Sequence, residues 1–173
     1  MDNIVYQFES LNPTQLQTHR EELISLAKKV YTALFEKHLS EEHLNEYKKT
    51  RNLRETWDTL FNVSHCITCY HQQQLIGAIY WVPNGNPWKY FDTSWCYIRM
   101  LGVLPEFEGQ GIGKKLTQLV LDEARSSGEK TIALHTSEIQ EAAQHIYHKL
   151  GFVRLKELEP IWGKRYWLYT MLL

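Results

Sequence analysis

The sequence has little of three features that would each indicate a class of protein. Its three cysteines are too few, and odd in number, for a disulfide scaffold in 173 residues, and they suit a reducing compartment. Lys and Arg number 19 against 20 Asp and Glu, so the net charge of −1 provides no basic field for nucleic acid and no acidic tail. Only nine glycines are present, so a cluster of them is informative.

The distribution of basic and apolar residues predicts neither a signal peptide nor a membrane-spanning segment. Met1, Asp2, Asn3 and Ile4 form neither a basic nor an apolar stretch, so we expect no signal peptide. The longest apolar run, about 75–82, is far shorter than the roughly 20 residues that a membrane helix needs. We therefore expect a soluble, cytoplasmic protein with neither a membrane nor a nucleic-acid partner.

Apolar residues are plentiful enough to form a sizeable core, at 43% hydrophobic and 13% aromatic. The predicted strands cover about 4–8, 66–71, 75–82, 94–103, 131–135, 152–158 and 166–172, and the predicted helices about 13–37, 40–61 (with interruptions), 112–127 and 139–150. This order predicts a mixed α/β (α+β) fold, in which helices flank a central mixed sheet, within a single domain over residues 1–173.

Three of the nine glycines lie within five residues, at Gly109, Gly111 and Gly113. They fall between a predicted strand and a predicted helix, where backbone N–H groups and the helix N-terminus can bind an anion. The spacing is not that of a P-loop, because Lys115 stands where Ser or Thr is needed. It is not that of a dinucleotide fingerprint either, because Lys114 occupies the position of the third glycine. An ordinary tight connection remains the alternative.

Two motifs resemble those of the GNAT superfamily of acyl-CoA-dependent N-acetyltransferases. The stretch 101–113, LGVLPEFEGQGIG, is similar to the phrase in which a strand leads into the glycine loop of that family. About 30 residues later, Ala143, Tyr147, Gly151 and Phe152 match its helix-to-strand signature. The resemblance covers about 76–173 and implies a GNAT-like fold with splayed central strands.

For the co-substrate, the resemblance implies that acetyl-CoA enters between the splayed strands 94–103 and 131–135, without a metal ion. The backbone at Leu101 and Val103 would bind the pantetheine arm, as an added strand pairs with a sheet. The N–H group near Leu101 would also donate to the oxyanion of the reaction. The amides expected to hold the pyrophosphate are those of Gly109, Gln110, Gly111, Ile112, Gly113 and Lys114.

Tyr147 matches the tyrosine that the family uses as a general acid. A phenol is protonated at neutral pH and can give its proton to the departing thiolate of CoA. The resemblance therefore implies an acyltransferase that moves an acetyl group to a primary amine by direct attack. Two alternatives stay open: Tyr147 as a core side chain, and a non-catalytic acyl-CoA-binding or interaction module on the same fold.

Two positions depart from the family pattern. Glu108 stands where the family has Arg or Gln, and its carboxylate would repel a pyrophosphate unless it points outward or caps the helix. Tyr97 stands where many members carry a glutamate base. His135, at the end of the following strand, is a candidate base, with a structural histidine as the alternative.

The acceptor side has three tentative residues, Trp81, Tyr97 and Arg99. Strand alternation places Tyr97, Arg99 and Leu101 on one face. Arg99 is interpreted either as binding a carboxylate of the acceptor or as pairing with a structural acid. The acceptor itself is expected to be a small-molecule amine or a protein amine.

Two further expectations concern metals and assembly. Cys66 and Cys69 would point to opposite faces of a strand, which spoils a chelate, so no metal site is expected. The apolar last strand could pair across a homodimer.

Overall fold

The computed structural model describes residues 5–173, and it confirms the mixed α/β fold as a seven-stranded sheet flanked by helices. The strands are β1 Gln7–Leu11, β2 His65–His71, β3 Gln74–Val82, β4 Cys96–Val103, β5 Thr131–Ser137, β6 Val153–Ile161 and β7 Lys164–Leu172. The helices are α1 Pro13–Thr18, α2 Arg20–Glu36, α3 Glu41–Asn52, α4 Arg54–Val63, α5 Ile112–Ser126 and α6 Glu141–Leu150. Ile4, where the first strand was expected to begin, lies outside the described residues.

The predicted first helix is two helices, α1 and α2. Asn12 caps α1 by accepting a hydrogen bond from the backbone N–H of Gln15, with Pro13 in the first turn, as the sequence indicated. The chain leaves helical geometry at His19, where ψ is 9°. The expected interruption of the second helix falls at Leu53, between α3 and α4.

The sheet has the order β1-β2-β3-β4-β5-β7-β6, and β4 and β5 are its parallel pair. These two strands pair only through Cys96 with Ile132 and Tyr97 with Ala133. β4 continues to Val103 and β5 to Ser137 without further pairing. The predicted splay is confirmed, and it leaves unpaired ladder groups along the opening.

A β-bulge in β4 lies just beyond this fork. Tyr80 pairs with Arg99 and Ala78 with Gly102, so Met100 and Leu101 together oppose one residue of β3. Met100 has a φ of 55°, in the left-handed region that a bulge can require. The extra residue reverses the alternation, so the prediction that Leu101 shares a face with Arg99 is wrong.

The helices form two layers on opposite faces of the sheet. α2 packs on β3 and β4 from one side, and α5 packs on β2, β3 and β4 from the other. An added Cβ at Gly102 would touch Val30 of α2, whereas one at Gly77 would touch Leu116 of α5. The layer of α1–α4 faces Arg99, and the layer of α5 and α6 faces Leu101.

The hairpin of β6 and β7 reaches across to the first layer. Its tip residue Trp162 packs against Phe35 of α2 and Tyr47 of α3, with ring centroids 5.4 and 5.3 Å away. Gly163 lies so close to His43 that an added Cβ would come within 2.7 Å of the imidazole. The tip therefore covers the sheet on the α2–α3 side.

The last strand lies inside the sheet. β7 pairs with β5 on one side and with β6 on the other. The expectation that this strand pairs across a homodimer is wrong, because both of its ladders are occupied within the chain. In the described part of the chain, no helix combines the length and apolar character needed to cross a membrane.

Candidate active site

The glycine loop presents backbone amides to open space at the start of α5. Gly109 and Gly111 have φ of 74° and 80°, and an added Cβ at either would meet nothing within 4 Å. Gly111 is the N-cap residue of α5 and provides no side-chain cap. The N–H groups of the first turn are thus left for another acceptor, and the loop fits an anion such as a pyrophosphate.

The charged neighbours of the loop point into solvent. Glu108 is exposed and does not cap α5, so of the two arrangements that would avoid repulsion, the structure favours a carboxylate that points outward. Lys114 and Lys115 are exposed on the first turn of the helix. Gln110 accepts a hydrogen bond from the hydroxyl of Tyr6, the residue just before β1, which contacts the loop from outside.

Gly113 serves packing rather than turning. An added Cβ there would lie 3.1 Å from Cδ1 of Ile146 and 3.8 and 3.9 Å from Leu101 and Val103. Because Gly113 has no Cβ, α5 can approach both α6 and β4. The structure therefore brings together the loop, the two β4 residues predicted to bind pantetheine, and the helix that carries Tyr147.

The bulge frees the backbone at Leu101. Leu101 has no partner in the β3 ladder. Its carbonyl accepts a hydrogen bond of 2.7 Å from the Tyr31 hydroxyl. Tyr31 lies on α2. It spans from the helix layer to the bulge and holds the orientation of this peptide group.

Tyr147 is buried on α6, with its ring 5.6 Å from that of Phe152. Burial raises its pKa well above the usual value for a phenol. Tyr147 also contributes to the raised pKa of Tyr31, so the two phenols lie within electrostatic range. Tyr147 is thus protonated at neutral pH, and it lies within electrostatic range of the phenol that contacts the peptide group of the bulge.

Tyr97, at the position where many members of the family have a glutamate, is held by structural contacts. Its hydroxyl donates to the carbonyl of Asn86 at 2.9 Å, and its ring stacks on Phe91 with centroids 4.3 Å apart. Burial raises its pKa. These contacts orient the loop between β3 and β4, and they make Tyr97 a poor proton acceptor.

His135 lies within an aromatic enclosure and has no protein partner for its buried Nδ1. The rings around it, with centroids 5.7 to 6.0 Å away, are Trp88, Tyr90, Phe91 and Tyr166. Burial first, and then the cations Arg99, Arg51 and Lys89, lower its pKa to about 3. His135 is therefore neutral at neutral pH and a weak general base.

Arg99 stacks on the Trp88 ring, with its guanidinium carbon 3.9 Å from the ring centroid. Burial and then the charge of Arg51 lower its pKa to about 10. Six ion pairs join residues between 5 and 173, and none of them includes Arg99 or Arg51. The structure thus shows no acid in the role of a structural partner for Arg99.

Arg51 and Trp88 were missed by the sequence reasoning. Arg51 follows Tyr47 by four residues on α3, so helical spacing could have placed it on the buried face of the helix. Trp88 lies in the turn-rich loop between β3 and β4, where no periodicity marks it. Both reach the site through long-range packing.

Trp81 is not brought together with Tyr97 and Arg99. Its indole Nε1 donates to Oε2 of Glu123 on α5 at 3.0 Å, and its ring stacks on His65. It therefore faces the α5 layer, on the other side of the sheet from Arg99.

Two surface grooves lie away from this site. One, of about 520 Å³, runs between β1–β3 and α5 and includes Trp81. The other, of about 590 Å³, lies between α6 and the β6–β7 pair and includes Arg154. Neither is lined by the glycine loop or by β4 beyond the fork. Residues 5–173 hold no group of three or more His, Cys, Asp or Glu arranged for a metal ion.

Comparison with known proteins agrees with this geometry. The sequence model described as "Acetyltransferase (GNAT) family" matches residues 25–152. N-alpha-acetyltransferase 30 of Schizosaccharomyces pombe is 47% identical over 62 residues, which are 36% of this chain and 41% of that protein. The protein named "Probable N-acetyltransferase camello" of Xenopus laevis is 30% identical over 106 residues, 61% of this chain and 48% of that protein.

A solved structure shares the fold over almost the whole chain. The PaiA N-acetyltransferase of Thermoplasma acidophilum, in complex with coenzyme A, superposes with a TM-score of 0.71 and 15% identity over 95% of this chain and 98% of that one. By contrast, this chain spans less than half the length of the two curated relatives. Since the family model matches most of the sequence, the chain belongs to the acetyltransferase (GNAT) family.

Proposed function

We propose that the protein transfers the acetyl group of acetyl-CoA to a primary amine, by direct attack of the amine on the thioester. The observation that carries the proposal is the fork between β4 and β5, with the uncapped glycine loop after β4 and with α6, which carries Tyr147, packed on α5 and β5. The proposal covers a single acetyltransferase domain, acting in the cytoplasm, where the free cysteines Cys66, Cys69 and Cys96 stay reduced.

The chain binds the co-substrate through its backbone. The amides of residues 109–114 donate to the pyrophosphate, with Lys114 adding positive charge. Leu101 and Val103 lie beyond the last pair of β4 and β5, so the side of their backbone that faces the opening can pair with the amides of the pantetheine arm. Acetyl-CoA supplies the activated acyl group.

The transfer uses the backbone of β4 and a side chain of α6. The amine nitrogen forms a bond to the acetyl carbon while the N–H of Leu101 stabilises the oxyanion that develops. As the carbon–sulfur bond breaks, the Tyr147 hydroxyl gives its proton to the sulfur. The nitrogen loses a proton to water, because neither Tyr97 nor His135 is a competent base.

The acceptor is a small-molecule amine or a protein amine. The similarity to a protein named N-alpha-acetyltransferase favours an α-amino group. A second candidate function is a non-catalytic acyl-CoA-binding module. It is favoured by the absence of a strong base among the side chains around the fork, where His135 has a pKa of about 3.

Replacing Tyr147 by Phe tests the enzymatic proposal. With an amine panel and acetyl-CoA, the wild-type protein should release thiol, and Tyr147→Phe should lower kcat by about 100-fold because the thiolate loses its proton donor. The affinity for CoA, measured by calorimetry, should stay within about twofold, since the backbone does the binding.

Tyr70→Phe is the matched control. Its hydroxyl donates to Glu22 at 3.0 Å on the exposed surface, away from the fork, so its kcat should equal that of the wild type. Tight CoA binding with no turnover on any amine would favour the binding module. Equal kcat in Tyr147→Phe and wild type would remove the acid role of Tyr147.

A further inference from the structure

A cationic cluster lies on the α2–α3 face of the fork, and the transfer chemistry does not use it. Tyr97 and Ala133 form the last pair of β4 and β5, and two residues further along each strand are Arg99 and His135. These two side chains therefore face each other across the mouth of the opening. Trp88 joins them, since Arg99 stacks on the ring at 3.9 Å and His135 at 5.7 Å.

Within residues 5–173, no ion pair joins an acid to Arg99, Arg51 or Lys89. Arg51 contacts Met100, with Nη1 3.7 Å from Sδ, and its Nε is buried without a hydrogen-bond partner. Nδ1 of His135 is likewise buried without one. The charged groups that act on His135 are the cations Arg99, Arg51 and Lys89. Half-buried cations and buried polar atoms without a partner are costly unless an anion completes them.

Resting on the proposed acetyl transfer, we propose that the acceptor is an amino acid, whose carboxylate is bound by Arg99 and Arg51 at the mouth of the fork while its α-amine reaches the acetyl group. Arg99 precedes Leu101 by two residues on β4, and the bulge at Met100 lies between them. The guanidinium is therefore close along the chain to the peptide group that would hold the acetyl oxygen, as an amine and a carboxylate a few bonds apart require.

The surroundings favour a free amino acid over a peptide. Trp162 of the hairpin tip packs on Phe35 and Tyr47, which covers the acceptor side next to Arg51. Trp88 and Tyr90 pack edge to face beside Arg99 and His135, and their rings suit an apolar or aromatic side chain. A carboxylate also matches the planar fork of a guanidinium.

Matched acceptors that differ only in the carboxylate test the inference. We would measure kcat/KM for L-phenylalanine and L-leucine against their carboxamides. The wild type should prefer each acid by at least about 10-fold, the effect of one charge-assisted hydrogen bond. The α-amine of a carboxamide is less basic than that of the acid, so a larger fraction of it is deprotonated at neutral pH. This difference favours the carboxamide, so it cannot produce the preference for the acid that we expect.

Arg99→Gln and Arg51→Gln should each reduce that preference to about twofold or less, mainly by raising KM for the acid. Arg54→Gln is the control, because that arginine is exposed on α4 and pairs with Asp58; it should keep the full preference. Thermal melting identifies a variant that fails to fold. If one of the two arginine variants does so, the preference of the other for the acid over the carboxamide tests the inference.

Binding of the product class separates this inference from the proposed function. N-acetyl-L-phenylalanine should raise the melting temperature of the CoA-loaded wild type more than its carboxamide does, and Arg99→Gln should abolish the difference. If no amine turns over but this difference is seen, the transfer proposal fails and the anion site stands. Turnover without a preference for the acids, faster turnover of peptide amides, or equal binding of acid and carboxamide overturns the inference.

Discussion

His135 shows how packing sets the chemistry of one side chain. An imidazole at the end of a strand suggests a base, yet its aromatic enclosure and three nearby cations hold its pKa at about 3. The same ring stacks on Trp88, which carries Arg99. His135 thus acts as a neutral packing group that positions Trp88, and through it Arg99, on the acceptor side.

This depressed pKa makes folding stability depend on pH. In the unfolded chain His135 titrates near 6.5, and in the folded protein near 3, so the unfolded state binds the proton more readily and stability falls as pH drops below 6.5. Between pH 7 and pH 5 the wild type should lose about 2 kcal/mol relative to His135→Phe. Urea unfolding at the two pH values measures this difference, and parallel pH dependence of both proteins would contradict it.

At the scale of elements, two backbone irregularities create the site. The bulge at Met100 turns β4 so that Arg99 faces α3 and Leu101 faces α5. The left-handed residues of the glycine loop turn the chain into α5 without a side-chain cap. Each irregularity leaves backbone groups unpaired beside the fork, where a ligand can use them.

Gly111→Ala tests the loop. A non-glycine residue at φ of 80° should cost about 1–2 kcal/mol of stability, and the distorted amides should raise KM for acetyl-CoA about 10-fold. Gly85→Ala is the matched control, because Gly85 has φ of 85° and equally open surroundings but lies in another loop. It should lose similar stability in thermal melting and keep the wild-type KM; an unchanged KM in Gly111→Ala would contradict the assigned role of the loop.

At the scale of the whole molecule, local sequence predicts the order of elements but not the faces they present. The glycine loop and the helix of Tyr147 were predicted because their signals are short-range spacings. The bulge at Met100 was not, since a left-handed non-glycine residue has no reliable local signal and depends on register with β3. Arg51 and Trp88 meet Arg99 only through packing between distant segments.

Topology likewise decides where the chain can associate. The apolar last strand was expected to pair across a homodimer, but β7 is inserted between β5 and β6. The edges of the sheet are β1 and β6, and Val153 and Leu155 of β6 are exposed. We propose that any homodimer uses an edge strand rather than β7.

A crystal structure of the protein with coenzyme A tests the central claim most directly. The pyrophosphate should lie about 3 Å from the backbone nitrogens of residues 109–114, with the pantetheine arm between β4 and β5 and its sulfur near Tyr147. Coenzyme A bound instead in the groove between α6 and the β6–β7 pair, or a fork closed by pairing of β4 with β5, would contradict the account.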